Sequence, residues 1–200
     1  MKNALLVIFI LGYINLFAYD TQDYKRLLET KDCVTCDLRD ANLSDLDFSG
    51  SDLQRSDFRG ANLSRSVFLM ADLSSAKLND VKASGTVFWK ATMDDANLTR
   101  IHAKGANFKG TSLKHSDLSY ADMRGTKSWK VNFTEATFVH TDFRKAELGD
   151  AKFIRNDLRS SRMDGTLLWQ THFESVQMSA NQCRHAKEEE ALISTDTVCH

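Results

Sequence analysis

The chain has 200 residues with 26 basic and 27 acidic side chains, 42% hydrophobic residues and no proline. That size allows one domain or one short repeat array, and the apolar fraction excludes wholesale disorder. A net charge of −1 excludes a generally basic nucleic-acid binder and the heavily acidic surface of a DNA mimic.

Residues 1–18 read as an export signal. Lys2 is their one charged residue, Ala4 to Leu11 form an apolar heart, and Ala18 is a small residue at the expected cleavage point. An uncleaved membrane anchor is the rival reading. It needs about 20 apolar residues, and Gly12 and Asn15 interrupt this shorter run. Cleavage would leave no membrane span and would place the mature chain in the periplasm or outside the cell.

Residues 19–35 follow as an N-terminal cap. Within them TQDYKRLLET, residues 21–30, reads as a short helix with Tyr24, Leu27 and Leu28 apolar. Cys33 and Cys36 close this segment in a CVTC motif. A lone CxxC lacks the second ligand pair that a zinc site needs, and no βαβ pattern surrounds it, so a redox or metal centre is not the expected reading. A disulfide is.

From Cys36 to His185 a period of five runs without a break. Every fifth residue from Leu38 to Cys183 gives 30 positions, of which 12 are Leu, 10 Phe and 4 Met. Two residues earlier stands a small residue, as at Ala41, Ser51, Ala61 and Ala71, and Asp or Asn often lies between the two. Five is neither the 3.6 of a helix nor the 2.0 of a plain strand. Extended backbone points both the small and the large residue of a unit to one side. The next inward residue comes three later, so the chain must turn. A short extended segment and a corner, repeated, make a β-helix. Gly85, Gly105, Gly125 and Gly165 recur at multiples of 20, and glycine favours tight corners. Four units per coil follow, hence about 7.5 coils and a rod of roughly 36 Å.

This pattern, A(D/N)Lxx in copies such as ANLSD, SDLQR and ADLSS, resembles the pentapeptide-repeat family. The resemblance covers residues 36–185 and implies an all-β, right-handed quadrilateral β-helix. CDL running straight into the repeats is similar to the lead-in of exported members. The family's best-known role is DNA-mimicking inhibition of topoisomerases, which requires an acidic cytoplasmic rod; this chain's charge and leader disfavour it.

Folded on a 20-residue grid, Trp89, Trp129 and Trp169 share one outward column with Lys109 and Gly149 between them. Each Trp follows an inward position, Phe88, Ser128 or Leu168. Exposed Trp flanked by Lys and apolar residues marks a partner surface; the bland alternative is an inherited 40-residue duplication with the rings lying flat over a corner. A second column, Lys104, Arg124 and Arg144, has Lys82, Lys145, Arg162 and Arg184 nearby, with Asp122, Asp142 and Asp164 beside it. Opposed charge ladders explain it, with a stripe for anionic lipid or envelope polymer as the alternative. Asp95, His115 and Glu135 stack in another column and read as a solvated ladder rather than a cation or general-base site.

Residues 186–200 form a C-terminal cap and tail, with AKEEEALI, residues 186–193, expected as a helix. The four cysteines allow three pairings. Cys33–Cys36 with Cys183–Cys199 is preferred because each bridge stays at one end of the rod. No nucleophile elbow, phosphate loop or zinc-protease motif occurs, so neither catalysis nor a cofactor is expected. The sequence points to a non-enzymatic exported solenoid that binds a protein or envelope polymer and no nucleic acid. A homodimer is compatible with it, and a redox protein using the CxxC is a further alternative.

Overall fold

The structure, a computed structural model, describes residues 19–200; the expected export signal lies outside them. Helix α1, Thr21–Thr30, covers the first coil over the residues anticipated. The Asp20 carboxylate accepts from the Gln22 and Asp23 amides, and Lys31 ends the helix in the left-handed region at φ 61°. The helix is amphipathic: Leu27 is fully buried, while Tyr24 packs against the core and donates to the Asn42 carbonyl at 3.3 Å. The first coil thus meets an apolar side chain instead of water, which is what the raw end of a solenoid requires.

The body is a right-handed β-helix with four five-residue units per coil. Parallel bridges pair the residue before most inward positions with its counterpart 20 further on, from Asp37↔Asp57 to Asp157↔Gln177. Near the end the rungs lengthen into strands β1 (Lys152–Ile154) and β2 (His172–Glu174), then β3 (Gln177–Met178). In each unit the inward residue donates to the coil above, as Leu38 to the Asp57 carbonyl at 2.8 Å, and the residue before it donates to the coil below, as Asp57 to Cys36 at 2.8 Å. Every fifth residue from Thr35 to Ser175, Ser160 excepted, sits at a left-handed φ of 53–73°. Most of these corners are not glycine: Arg55, Met70 and Tyr120 take the same geometry as Gly85. The left-handed backbone is strained for residues with a Cβ, so the corners are held by the ladder bonds on either side rather than by local preference.

The core is a set of stacked columns. Phe48, Phe68, Phe88 and Phe108 form one ladder with ring centroids 5.0–5.4 Å apart. Ser128 ends it, and the next face takes over with Phe133, Phe153 and Phe173 at 4.9 and 5.3 Å. Where the small positions are polar rather than Ala, most are satisfied, Ser51 Oγ being buried without a partner. The hydroxyls of Ser66, Thr86, Thr111, Thr141 and Thr171 each donate to a carbonyl 23 residues back, at 2.6–2.8 Å. A buried hydroxyl without such a partner would cost about 1–3 kcal/mol.

The C-terminal cap differs from expectation. The helix, α2, spans Ala180–Glu188, not 186–193. Ser179 starts it through a capping box: its hydroxyl accepts from the Gln182 amide at 3.3 Å, and Gln182 Oε1 accepts from the Ser179 amide at 2.7 Å. Cys183 keeps the five-residue register in sequence but is helical, so the β-helix ends at Met178 rather than His185. The Gln182 amide fastens α2 to the last coil through the Leu158 and Ser161 carbonyls at 2.6 and 3.0 Å. The chain then rejoins the stack. Strand β4, Leu192–Ile193, pairs with β2 at the 20-residue offset, and β5, Val198–Cys199, pairs with β3. Helix α2 therefore replaces two sides of a coil while the other two are completed above the Phe173 layer.

Disulfides close both ends: Cys33–Cys36 with Cα atoms 5.4 Å apart, and Cys183–Cys199 at 6.0 Å. Among the described residues no helix is long and apolar enough to cross a membrane.

Candidate binding face

The face outside the first Phe ladder carries the tryptophans. Strand alternation turns the residue after each inward position outward, which places Trp89 beside Phe88, Lys109 beside Phe108 and Trp129 beside Ser128. Trp89 is 39% exposed and Trp169 49%. Lys90 Nζ lies 5.5 Å from the Trp89 ring centre, within cation–π range.

Trp129 behaves differently from the other two. A Cβ built on Gly149 would stand 2.4–2.6 Å from three atoms of its six-membered ring, so the ring lies face-on over the glycine. Its Nε1 donates to Glu147 Oε2 at 3.1 Å, and its centroid is 6.3 Å from that of Trp169. Gly149 is buried beneath it. Gly149, which the 20-residue grid places between the tryptophans, is therefore closed to a ligand: it is the floor on which Trp129 rests. Gly149→Ala should swing the indole outward, red-shift the tryptophan emission and cost about 1 kcal/mol of stability. Emission spectra with thermal melts check this; an unshifted spectrum would mean that the ring does not rest there.

The sequence reading singled out Lys109 and missed what surrounds it. Across three successive coils the outward positions of this face are Val87, Trp89, Lys90, Asn107, Lys109, Gly110, Lys127, Trp129 and Lys130. Four are lysine, two are tryptophan and none is acidic. Lys90, Lys109, Lys127 and Lys130 are all exposed, and among the described residues none belongs to an ion pair. The signal was available: counting acids per face on the 20-residue grid finds it. Below, Leu69 and the 64% exposed Met70 extend the face as an apolar margin. Above, Glu147 and Asp150 return it to mixed charge.

The second basic column is neutralised in part. Arg124 and Arg144 fork onto Asp122 and Asp142 with closest contacts of 2.7 and 2.6 Å. Those guanidinium hydrogen bonds hold both carboxyls below the usual range. A groove of about 260 Å³ between Lys104, Arg124, Gly125, Arg144 and Lys145 follows this column. No aromatic ring lines it.

In the histidine column, His115 Nδ1 meets Glu135 Oε2 at 3.0 Å, and Arg155 pairs with the same carboxylate. Among the described residues Asp95 makes no ion pair, so the column is a charge ladder with Arg155 as a member that the sequence reading left out. At the N-terminal end, ligand atoms of Asp23, Cys33 and Cys36 lie within 4.8 Å of one another. The two sulfurs are bonded to each other, and Arg26 Nη2 donates to Cys36 Sγ at 2.5 Å. The thiolates that a metal ion requires are absent from that arrangement.

The family model for pentapeptide repeats matches residues 32–68, 71–110, 91–127 and 132–170, eight copies that span well over half of the chain. The chain belongs to the pentapeptide-repeat family. Among solved members, a trypsin-treated form of QnrB1, a plasmid-mediated fluoroquinolone resistance protein, is 17% identical over 77% of each chain with a TM-score of 0.37. HetL, a pentapeptide repeat protein involved in heterocyst differentiation regulation from Nostoc sp. strain PCC 7120, is 18% identical over 80% of this chain and 84% of its own, with a TM-score of 0.29. The pentapeptide repeat protein alr5209 from Nostoc PCC 7120 is 31% identical over 44% of this chain and 75% of its own, with a TM-score of 0.28. A comparison with curated proteins returns no match. Within this family the repeats set the rod, and function rests with the side chains that an individual member places outside it.

Proposed function

We propose that this chain is an exported, non-enzymatic rod that binds a protein or polymer of the cell envelope through the face bearing Trp89, Lys109, Trp129 and Trp169. The observation that carries this reading is the run of three coils whose outward positions on this one face hold four exposed lysines beside two indoles and no acid. Exposed aromatic area on an otherwise charge-balanced rod supports a partner surface. The interior is filled by side chains from every coil, which favours recognition by faces over chemistry in an enclosed site. Export is supported by the leader-like residues 1–18 and by a disulfide at each end, since such bridges persist in oxidising compartments.

Intact-mass measurement of protein from fractionated cells tests the export half. The expected species lacks the first 18 residues and four hydrogens and is recovered from the periplasm or medium. Full-length, fully reduced protein in the cytoplasm would overturn the localisation and return the topoisomerase alternative to consideration.

A further inference from the structure

We infer that the partner of the Trp–Lys face is an anionic polysaccharide lying along the rod, with a sugar ring on Trp89, another on Trp129, and its acid groups on the lysines between. This rests on the binding-face reading above and names the chemistry that the face would select.

Charge complementarity comes first. Lys90, Lys109, Lys127 and Lys130 stand in three neighbouring coils with no ion pair and no carboxylate on the outward positions between them. Elsewhere on the rod cations commonly have acids at hand: Arg59 on Asp57, Arg65 on Asp45, Arg100 on Asp80, Arg124 on Asp122, Arg159 on Asp157. Lys127 and Lys130 have Glu147 and Asp150 one coil above them, but Lys90 and Lys109 have no acid in their columns on either side. Four lysines over this stretch create a local positive potential on a molecule with a net charge of −1, and an anion is what it attracts.

Shape narrows the class. Trp129 offers a flat ring whose underside is fixed by Gly149 and whose edge is tied to Glu147. An indole held this way loses little freedom on stacking. The Trp89 backbone stands two coils below that of Trp129, about 9.6 Å along the axis, and the Trp129 ring reaches one coil further up, over Gly149. One sugar unit of an extended glycan is about as long as one coil rise, so the units between the two rings fall opposite Lys109 and the coil that carries Lys127 and Lys130. The composition also argues against a protein partner: lysine is depleted in protein–protein interfaces, whereas here it lies between the aromatic residues. A membrane surface is disfavoured by the single narrow column, since a bilayer engages a broad apolar area.

Affinity electrophoresis of the full mature chain tests the inference. Native gels are cast with polygalacturonate, with neutral dextran or with polyglutamate, and an oligo-dT mobility shift is run in parallel. Retardation is expected in polygalacturonate, weaker in polyglutamate, and absent in dextran and with oligo-dT. Trp89→Ala should weaken the polygalacturonate interaction about thirtyfold, the factor that corresponds to an anchoring aromatic. Lys109→Ala combined with Lys127→Ala should weaken it similarly and flatten its salt dependence. Circular dichroism melts of both variants should match the parent, because these side chains are outside the core. Equal retardation in polyglutamate and polygalacturonate would mean that only charge is read and would overturn the inference. So would a tighter oligo-dT complex, or no retardation at all. Those failures leave export and the existence of a binding face standing, because mass analysis and surface footprinting read them separately.

Discussion

Phe153→Asp is expected to abolish cooperative folding of the rod. Phe153 is about 0% exposed, and its ring meets those of Phe133 and Phe173 in its own column and of Phe138 and Phe143 across the interior, with centroids 4.9–6.3 Å away. A carboxylate there has no cation within reach, and burying it unpaired costs several kcal/mol on top of the lost ring. In a solenoid each coil supports the next, so one broken coil uncouples the segments on either side. Phe153→Ala gives the graded version, a loss of about 3–5 kcal/mol. Far-UV circular dichroism with thermal melts reads both. A Phe153→Asp protein with a parent-like melt would show that this layer is not packed as described.

Cys199→Ala is expected to release the C-terminal cap. The Cys183–Cys199 bridge closes a loop of 16 residues, and cross-linking a loop of that size contributes about 3 kcal/mol in the chain-entropy account. Without it the tail keeps the short pairings of β4 and β5, the packing of Ala191 and Ile193 on the core, a few hydrogen bonds such as Ala180 to the His200 carbonyl at 2.6 Å, and the Asp196 contacts. Asp196 accepts from the Ser175 and Ser194 hydroxyls, which lower its carboxyl to about 2. This depressed value contributes above the ordinary carboxylate range and fades as pH falls toward 2. Limited proteolysis should therefore remove residues after α2 from the variant while the rod stays protected. An intact tail under protease would show that the bridge is dispensable for the cap.

The repeats were legible because each corner imposes the same spacing of two residues inward and three to turn, so the period of five survives every substitution outside it. Helix α1 was legible from its apolar positions, Tyr24, Leu27 and Leu28. Helix α2 was misplaced because Cys183 carries the five-residue register past the end of the β-helix, while the stronger local signal, the Ser179–Gln182 capping box, was overlooked. The glycines gave the right coil size for only part of the reason. The geometry they suggested is shared by Asp, Arg, Lys and Tyr corners, which take it under the force of ladder bonds that sequence does not display. The tryptophan column was visible on the grid, but not that Trp129 would fold down on Gly149 and Trp89 would not. That depends on the residue one coil above: glycine over Trp129, lysine over Trp89. The lysines around Lys109 went unread because they show only when each outward position is compared with the one 20 residues on: Gly110 over Lys90 and Trp129 over Lys109, until Glu147 and Asp150 end the acid-free stretch above Lys127 and Lys130.

Hydroxyl-radical footprinting in intact cells, compared with the purified protein, tests most directly that the Trp–Lys face is the working surface. Tyr120, 57% exposed on another side of the rod, serves as the internal reference. The account predicts that Trp89 and Trp169 oxidise more slowly in cells than in the purified protein, with Tyr120 unchanged. Trp89 and Trp169 oxidising in cells at the purified rate, with protection at Tyr120 instead, would contradict it.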